Sequence, residues 1–315
     1  PFEANVPAGF DILDEKTVEA QLLRARDSVI SSAGRSDPVL RSALAMVIEA
    51  TGENGFNKVM TPLLKARTAL RALLQEKTGK STLEIRIKQA LGLRHEDTSL
   101  SVTHEIYEGR LSDDRLRAMM AVLSRSDAKT DEKTIAAFST TMQLPSSDEW
   151  ENIYFNVFLT TENTARAAKG LTTVAIDEID PSVRATLLTE QQRLVDLLRK
   201  RKATDCAERS CAALRVAGAI LAHYEQEKIK AGSLDFDDLI ERTNALFTRA
   251  GARWVLYKLD QGIDHLLVDE AQDTSPAQWD ILHALTEEFH AGETARMVRR
   301  TVFAVCDPNQ SIYSF

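Results

Sequence analysis

Two adjacent carboxylates, Asp269 and Glu270, are the residues of this 315-residue chain best suited to chemistry. They follow an apolar run at residues 264–268, and such a run is typical of a buried parallel strand whose end delivers side chains to the edge of a sheet. Mg²⁺ takes one or two carboxylates together with water and phosphate oxygens, so Asp269 suits a metal site. Glu270 suits the orientation or deprotonation of an attacking water. Two solvated acids at a strand end are the less specific interpretation of the same pair.

A second apolar run positions a further acidic residue. Residues 301–305 form the run, and Asp307 follows it after one cysteine. Between the two runs, residues 276–289 have the apolar spacing of an amphipathic helix. Strand, helix and strand in this order predict a βαβ unit of a parallel sheet. Because ligands bind at the carboxyl ends of parallel strands, we expect the acidic residues to lie together at one edge.

The long segment before this unit is predicted to be almost wholly helical. Asp14 is placed to cap a first helix, and Asp37 with Pro38 marks the start of a second helix, which we expect to end at Thr51-Gly52. Gly and Pro together contribute only 21 residues, which favours long helices. Residues 153–160 are the exception, because their β-branched and aromatic composition predicts a short strand.

Composition excludes several classes of protein. With 39 basic and 47 acidic residues the formal net charge is −8, which argues against binding to nucleic acid through a basic tail. The apolar stretches are far shorter than the roughly 20 residues of a membrane span, so no membrane partner is expected. Three cysteines without a C-x-x-C pair indicate neither a disulfide framework nor a zinc site, which favours a cytoplasmic location. The basic cluster at residues 199–202 fits either a solvated helix face or a contact to DNA phosphates.

Three ordered segments resemble the UvrD-like helicases of superfamily one. Residues 265–274, His-Leu-Leu-Val-Asp-Glu-Ala-Gln-Asp-Thr, are similar to the Walker B box of that family, motif II. Residues 301–315 are similar to its motif III, and residues 234–240 match the Asp-Phe-x-Asp-Leu stretch that precedes motif II. Further similarity, at residues 10–15 and in two later segments (157–160 and 273–279), is to the AddA-type subunit of bacterial helicase–nucleases.

The resemblance implies an α/β fold. Its centre would be a RecA-like P-loop NTPase core with a parallel sheet, interrupted by a large, mostly α-helical inserted subdomain. Residues 1–13 would be the entry segment from the core, residues 14–231 the insertion, and residues 232–315 the returning part of the core with motifs II and III.

The resemblance also implies roles for single residues, with ATP and Mg²⁺ as cofactors. Asp269 would hold the magnesium and Glu270 would activate water, while Asp307 would belong to the nucleotide site. Gln310 would sense the γ-phosphate and couple hydrolysis to movement. For Tyr313 and Phe315 the resemblance implies contacts to DNA, and packing in the core is the alternative. The role of Gln272 and Asp273 stays open, with bracing of the loop as one interpretation.

The implied function is that of an ATP-dependent DNA helicase moving 3′ to 5′ in double-strand break repair. Its partners would be single-stranded DNA, duplex ends and an AddB-type nuclease subunit. A stand-alone UvrD or Rep-like helicase is the near alternative, and a non-catalytic DNA-binding or scaffold module derived from a helicase is the distant one. The 315 residues contain no G-x-x-x-x-G-K-[ST] phosphate loop, so we expect negligible ATPase activity from this chain alone.

The acidic excess is concentrated in the segment that carries these motifs. Residues 233–315 contain 14 acidic and seven basic residues, so their net charge is −7 out of a total of −8. We interpret this acidity as the mark of the magnesium-holding half of an ATP site, with some of it being ordinary surface charge.

Overall fold

The structure is a computed structural model of the chain. It describes residues 4, 6, 8–75, 82–248, 253–260, 263–287 and 300–310. Within these ranges the helices are α1 (Glu15–Ser36), α2 (Pro38–Lys65), α3 (Arg67–Gln75), α4 (Leu83–Ala90), α5 (Ser99–Glu108), α6 (Asp113–Leu123), α7 (Lys129–Gln143), α8 (Asp148–Phe158), α9 (Val174–Ile179), α10 (Pro181–Ala231), α11 (Phe236–Thr248), α12 (Arg253–Asp260) and α13 (Pro276–Thr286). The strands are β1 (Asp11–Ile12), β2 (Ser233–Leu234), β3 (His265–Val268) and β4 (Thr301–Ala304).

The chain folds as two compact units. The first contains residues 1–38, 62–70 and 217–315, and the second contains residues 39–61 and 71–216. The three-part division of the chain at residues 13 and 231 stays a prediction. No helix in the described ranges combines the length and the apolar character that crossing a bilayer requires.

Helix starts follow the local sequence closely. The carboxylate of Asp14 accepts a hydrogen bond from the Thr17 N–H at 2.8 Å, which confirms the predicted cap of α1. The predicted helix end at Gly52 is confirmed by the backbone, because Gly52 takes the non-helical φ 67° and ψ 170°, and a second helical part of α2 continues from this kink to Lys65. Glycine is suited to this position because a positive φ is strained for a residue with a Cβ.

The second unit has an aromatic core that corrects the prediction for residues 153–160. These residues lie mostly in α8 and not in a strand. Trp150, Tyr154 and Phe158 are all buried and recur every four residues, so a helix turns all three to one side. The Ser147 hydroxyl caps the helix by accepting from the Trp150 N–H at 3.3 Å. Because this cap and the helical spacing act together, they outweigh the β propensity of the individual residues.

The three rings pack against one another in the core. Trp150 and Tyr154 stack with ring centroids 4.6 Å apart, and Tyr154 meets Phe158 at 5.1 Å. The Tyr154 hydroxyl accepts from the Leu111 N–H at 3.2 Å and donates to Glu190 at 2.9 Å. Burial, followed by the negative charge of Glu190, raises the pKa of Tyr154 far above its usual value. The phenol therefore stays protonated and serves as a fixed donor that joins α8 to α10.

The first unit contains the two parallel strand pairs. In one pair β1 lies beside β2, with Ile12 opposite Leu234. In the other, β3 lies beside β4, with Val268 opposite Ala304. The βαβ order of β3, α13 and β4 confirms the predicted parallel strand–helix–strand unit.

The predicted burial of these strands on both faces is wrong for this chain. Leu267 is 75% exposed and Phe303 is 60% exposed. In the described ranges β3 and β4 have only each other as partners, and a two-stranded sheet offers little cover to its apolar side chains. The side chains of these strands therefore form an exposed apolar surface in the part of the chain that the structure describes.

Candidate functional site

Parallel pairing brings the acidic residues to one edge of the sheet. Asp269 directly follows β3, and Asp307 lies three residues beyond β4. The ladder continues past both strands, because the Val305 N–H donates to the Val268 carbonyl at 2.9 Å and the Ala271 N–H donates to the Val305 carbonyl at 2.8 Å. The two loops that leave the strands are thus joined at their roots, as the βαβ interpretation requires.

Glu270 adopts an unusual backbone conformation. Its φ of 50° and ψ of 45° lie in the left-handed region, where a residue with a Cβ is strained by about 1–2 kcal/mol. The Asp273 N–H donates to the Glu270 carbonyl at 2.8 Å, which closes the short 3₁₀ turn Ala271–Asp273. Strain of this kind persists only where surrounding contacts hold it, and it is common at functional sites.

Gln272 connects the two loops. Its amide nitrogen donates to the Glu270 carboxylate, and its amide oxygen accepts from the Asp307 N–H at 3.0 Å. The Gln272 side chain is buried while its partners are more exposed, so water competes only partly for the two bonds. One amide therefore sets the position of a motif II carboxylate against the backbone of motif III. Sequence reasoning left this role open, because the second partner lies 35 residues away.

The motif III loop is organised around the Asp307 carboxylate. One oxygen accepts from the Asn309 N–H at 3.0 Å, and the other accepts from the Gln310 side-chain amide at 2.8 Å. Gln310 also closes the 3₁₀ turn Pro308–Gln310 by donating its own N–H to the Asp307 carbonyl at 3.0 Å. The structure thus places Glu270, Gln272, Asp307 and Gln310 in one hydrogen-bonded network.

The donor set fits a hard divalent cation that is shared with a phosphate ligand. Asp269 offers a carboxylate at the root of the loop, and the site contains neither a thiol nor an imidazole in its hydrogen-bond network. Across the described ranges, no group of three or more His, Cys, Asp or Glu residues is arranged to hold a metal ion. Mg²⁺ suits such a site because it retains waters and uses one or two carboxylates rather than a complete protein cage.

Two other sets of predicted contacts have different outcomes. Tyr313 and Phe315, which the resemblance assigns to DNA, lie outside the described residues. In the basic cluster 199–202, Lys200 binds Asp97 and Glu105, at 2.9 and 2.6 Å. The neighbouring cations Arg199 and Arg201 also form ion pairs, with Asp196 and Glu151 respectively. These cations are already paired within the chain, which favours a helix face over DNA contacts, but Lys200 and Arg201 are half-buried rather than fully solvated as predicted.

A buried ion cluster lies where α10 meets β2 and α11, and sequence reasoning missed it. The Lys228 ammonium lies 3.1 Å from Asp235 and 2.6 Å from Asp238, and Tyr224 donates its hydroxyl to Asp235 at 2.7 Å. Asp235 and Asp238 also cap α11 reciprocally, each accepting from the other's N–H at 2.9–3.0 Å. The Asp-Phe-Asp-Asp sequence at residues 235–238 is a recognisable helix-cap signal. The cation that binds these carboxylates, Lys228, lies on α10, so the local sequence does not reveal the cluster.

Charge balance inside this cluster favours the ionised forms of Asp235 and Lys228. Burial acts to raise the pKa of Asp235, but the Asp238 N–H, the Tyr224 hydroxyl and the charges of Lys228 and Arg67 outweigh it, so the pKa is lowered. Burial likewise acts to lower the pKa of Lys228, and its carboxylate partners raise it above the usual value. The start of α11 is therefore anchored by full charges that have been removed from water.

A parallel strand–helix–strand unit with acidic residues at its carboxyl edge is typical of the α/β proteins that bind ligands at this edge of the sheet. Residues 39–315 match the family model described as the UvrD/REP helicase N-terminal domain. The chain belongs to this family, whose domain implies a RecA-like P-loop fold.

Several named relatives share part of the sequence. The chain is 37% identical over 92 residues to the ATP-dependent DNA helicase SRS2 of Saccharomyces cerevisiae, a match that covers 29% of this chain and 7% of that protein. It is 35% identical over 99 residues to the ATP-dependent DNA helicase PcrA of Bacillus subtilis, covering 31% and 12%. It is 34% identical over 103 residues to the RecBCD enzyme subunit RecB of Mycolicibacterium smegmatis, covering 32% and 8%. The matches thus span about a tenth of the length of these relatives.

Proposed function

We propose that this chain is part of an ATP-dependent DNA helicase and supplies the half of its ATP site that holds magnesium and water. The observation that carries the proposal is the network at the carboxyl edge of β3 and β4, in which Gln272 joins the Glu270 carboxylate to the Asp307 N–H. Such a network gives a general base a fixed position, which phosphoryl transfer to water requires.

Each residue of the edge has a proposed task. Asp269 would hold Mg²⁺, which when bound neutralises charge on the phosphate oxygens of ATP. Glu270 would orient the attacking water and accept its proton. Asp307 would orient the Gln310 amide, to which it is already bonded at 2.8 Å. Gln310 would then report the presence of the γ-phosphate to the motif III loop.

The proposed substrate besides ATP is DNA. Support comes from the family membership and from relatives named as ATP-dependent DNA helicases. Tyr313 and Phe315 are the residues proposed to contact single-stranded DNA by stacking, which stabilises a bound base by about 1–3 kcal/mol. The direction of movement is proposed to be 3′ to 5′.

We further propose an AddA-type role in double-strand break repair, together with an AddB-type nuclease partner that acts at duplex ends. The match to RecB, which is named as a subunit of the RecBCD enzyme, supports a protein that works in a complex. Copurification of the full-length protein with a nuclease subunit tests this point. A full-length protein that unwinds DNA as a monomer would instead be a stand-alone helicase.

The test of the ATP site uses the full-length protein with single-stranded DNA. Glu270→Gln keeps the shape of the side chain but removes the base, so ATP turnover is expected to fall by about 10²–10⁴-fold. Glu287→Gln is the matched control, since Glu287 is exposed and follows the last turn of α13. Equal turnover in the wild type and Glu270→Gln would show that Glu270 is not the base.

The 315-residue chain alone is expected to hydrolyse no ATP, because its sequence has no phosphate loop. A steady-state ATPase assay with single-stranded DNA checks this expectation. Turnover by the chain alone would mean that its residues grip the phosphates in another way. A full-length protein without turnover would support a scaffold instead of an enzyme.

A further inference from the structure

The turn that carries Glu270 is held at two ends. At one end β3 pairs with β4, and the Ala271 N–H continues that ladder to the Val305 carbonyl at 2.8 Å. At the other end the chain enters α13, whose first turn is capped by Ser275 and Gln278 in a reciprocal capping box. A strained turn keeps its conformation only where the surrounding structure holds it, and here β4 and α13 are the elements that hold it. The position of α13 is therefore part of the geometry of Glu270.

The position of α13 depends on a bond from another helix. The Asn244 side-chain amide on α11 donates to the Ala277 carbonyl, in the first turn of α13, at 2.7 Å. Ala277 lies four residues beyond Asp273, where the Glu270 turn ends. Asn244 is half-buried, so water competes only partly for this bond. A directed bond at this point restricts how far the first turn of α13 can move from α11, whereas apolar packing between the helices has no direction.

The helix that presents Asn244 is itself anchored. At its start, Asp235 and Asp238 are bound by the buried Lys228 ammonium of α10, at 3.1 and 2.6 Å. Asn244 lies six residues beyond Asp238 on the same continuous helix. The Asn244 amide thus lies on a helix whose start is anchored, and a positioning group requires a rigid element of this kind.

We propose that Asn244 is a positioning residue for ATP hydrolysis, because its amide fixes the first turn of α13 and through it the turn that holds Glu270. This inference rests on the proposed ATPase function. Asn244 does not touch the nucleotide in this proposal, so its loss changes the rate of the chemical step and not the binding of ATP. A misplacement of about 1 Å costs up to about 100-fold in rate, so we expect a fall in kcat of roughly 10- to 100-fold.

The test compares four full-length variants with the wild type in the presence of saturating single-stranded DNA. Asn244→Ala removes the donor and Asn244→Asp replaces it with a carboxylate that repels the Ala277 carbonyl, so both should lower kcat while KM for ATP stays unchanged. Asn244→Gln retains an amide and should recover part of the rate. Thr248→Ala is the matched control, because the Thr248 hydroxyl bonds only to carbonyls of α11 itself in the described contacts. Its kcat should equal that of the wild type.

A second measurement separates positioning from a general loss of stability. Hydrogen exchange of the Ala271, Asp273 and Thr274 amides reports directly on the turn. The Ala271 N–H donates to the Val305 carbonyl, one residue beyond β4, and the other two amides donate to carbonyls within the turn. Exchange at these amides should be faster in Asn244→Ala than in Thr248→Ala, whatever the activity. Unchanged exchange, or unchanged kcat in an active protein, overturns the inference alone. A wild-type protein without ATPase activity overturns the proposed function and this inference with it.

Discussion

Replacement of Lys228 by Met is expected to destabilise the first unit strongly. The Lys228 side chain is 2% exposed and its ammonium contacts three carboxylates, those of Glu225, Asp235 and Asp238, at 2.6–3.1 Å. Methionine has a similar length and keeps the apolar contacts of the stem, but it leaves Asp235 and Asp238 as buried charges without their central cation. Removing one partner of a buried ion pair typically costs about 3–5 kcal/mol.

The magnitude is at the lower end of that range for a structural reason. Arg67 remains 3.5 Å from Asp235, and Tyr224 still donates its hydroxyl to the same carboxylate. These contacts compensate part of the buried negative charge that loses its cation, so we expect a loss of about 3 kcal/mol in the free energy of unfolding. Urea unfolding followed by circular dichroism measures this loss as a shift of the midpoint.

The control is a lysine two positions further along α10. Lys230 is 71% exposed and pairs only with Glu227 among the described contacts, at 2.8 Å. Lys230→Met removes the same charge from the same helix, and the expected cost is below about 1 kcal/mol because exposed pairs contribute little. Equal midpoints for the two variants would refute the argument that buried charge makes Lys228 important.

The effect of pH gives an independent check on the same cluster. The folded pKa of Asp235 is lowered from its usual value of 3.8. Its contribution to stability is therefore present above about pH 4 and is lost as the pH falls through the folded pKa. Lys228→Met removes one of the charges that lower the pKa of Asp235. The difference in the free energy of unfolding between wild type and variant should therefore narrow below about pH 4. A constant difference from neutral to acidic pH would contradict this linkage.

Three further predictions concern other parts of the chain. Tyr154→Phe removes the hydroxyl that joins Leu111 to Glu190, and it should lower the free energy of unfolding by about 1–3 kcal/mol in urea. Glu270→Gly and Glu270→Ala both lose the bond from Gln272 and should abolish turnover in the full-length protein, but only Gly relieves the positive φ, so Glu270→Gly should be the more stable of the two by up to about 1 kcal/mol; equal stability would show that the turn is unstrained. Replacing all four cations of residues 199–202 by Ala should leave the salt dependence of DNA binding unchanged, whereas a smaller slope would assign them to phosphate contacts.

The elements that sequence reasoning identified correctly depend on local signals. Asp14 caps α1 because a carboxylate three residues before an N–H can reach it without help from the rest of the chain. The strands β3 and β4 were predictable from short apolar runs that end in acidic residues. For these elements, the residues that decide the structure lie within a few positions of one another.

The sequence does not predict the structure where two local signals disagree or where two bonded residues lie far apart in the chain. Residues 153–160 have the composition of a strand, but the spacing of Trp150, Tyr154 and Phe158 buries one helical face, and burial of three rings outweighs β propensity. Asn244 shows no signal at all in the sequence, because its bond to Ala277 spans 33 residues. Contacts of this kind depend on the packing of α11 against α13, which no local pattern specifies.

The acidic excess of residues 233–315 has two physical origins, which the sequence alone could not separate. Asp269, Glu270 and Asp307 lie at the open edge of β3 and β4, where their charge is available to a cation. Asp235 and Asp238 are buried and balanced by the two cations Lys228 and Arg67, so they add little to the field at that edge. Net charge therefore overstates the electrostatic preference of the segment for magnesium. The proposed chemistry of the site depends on the two hydrogen bonds of Gln272, which position the Glu270 carboxylate and the Asp307 backbone. It does not depend on the number of acidic residues around them.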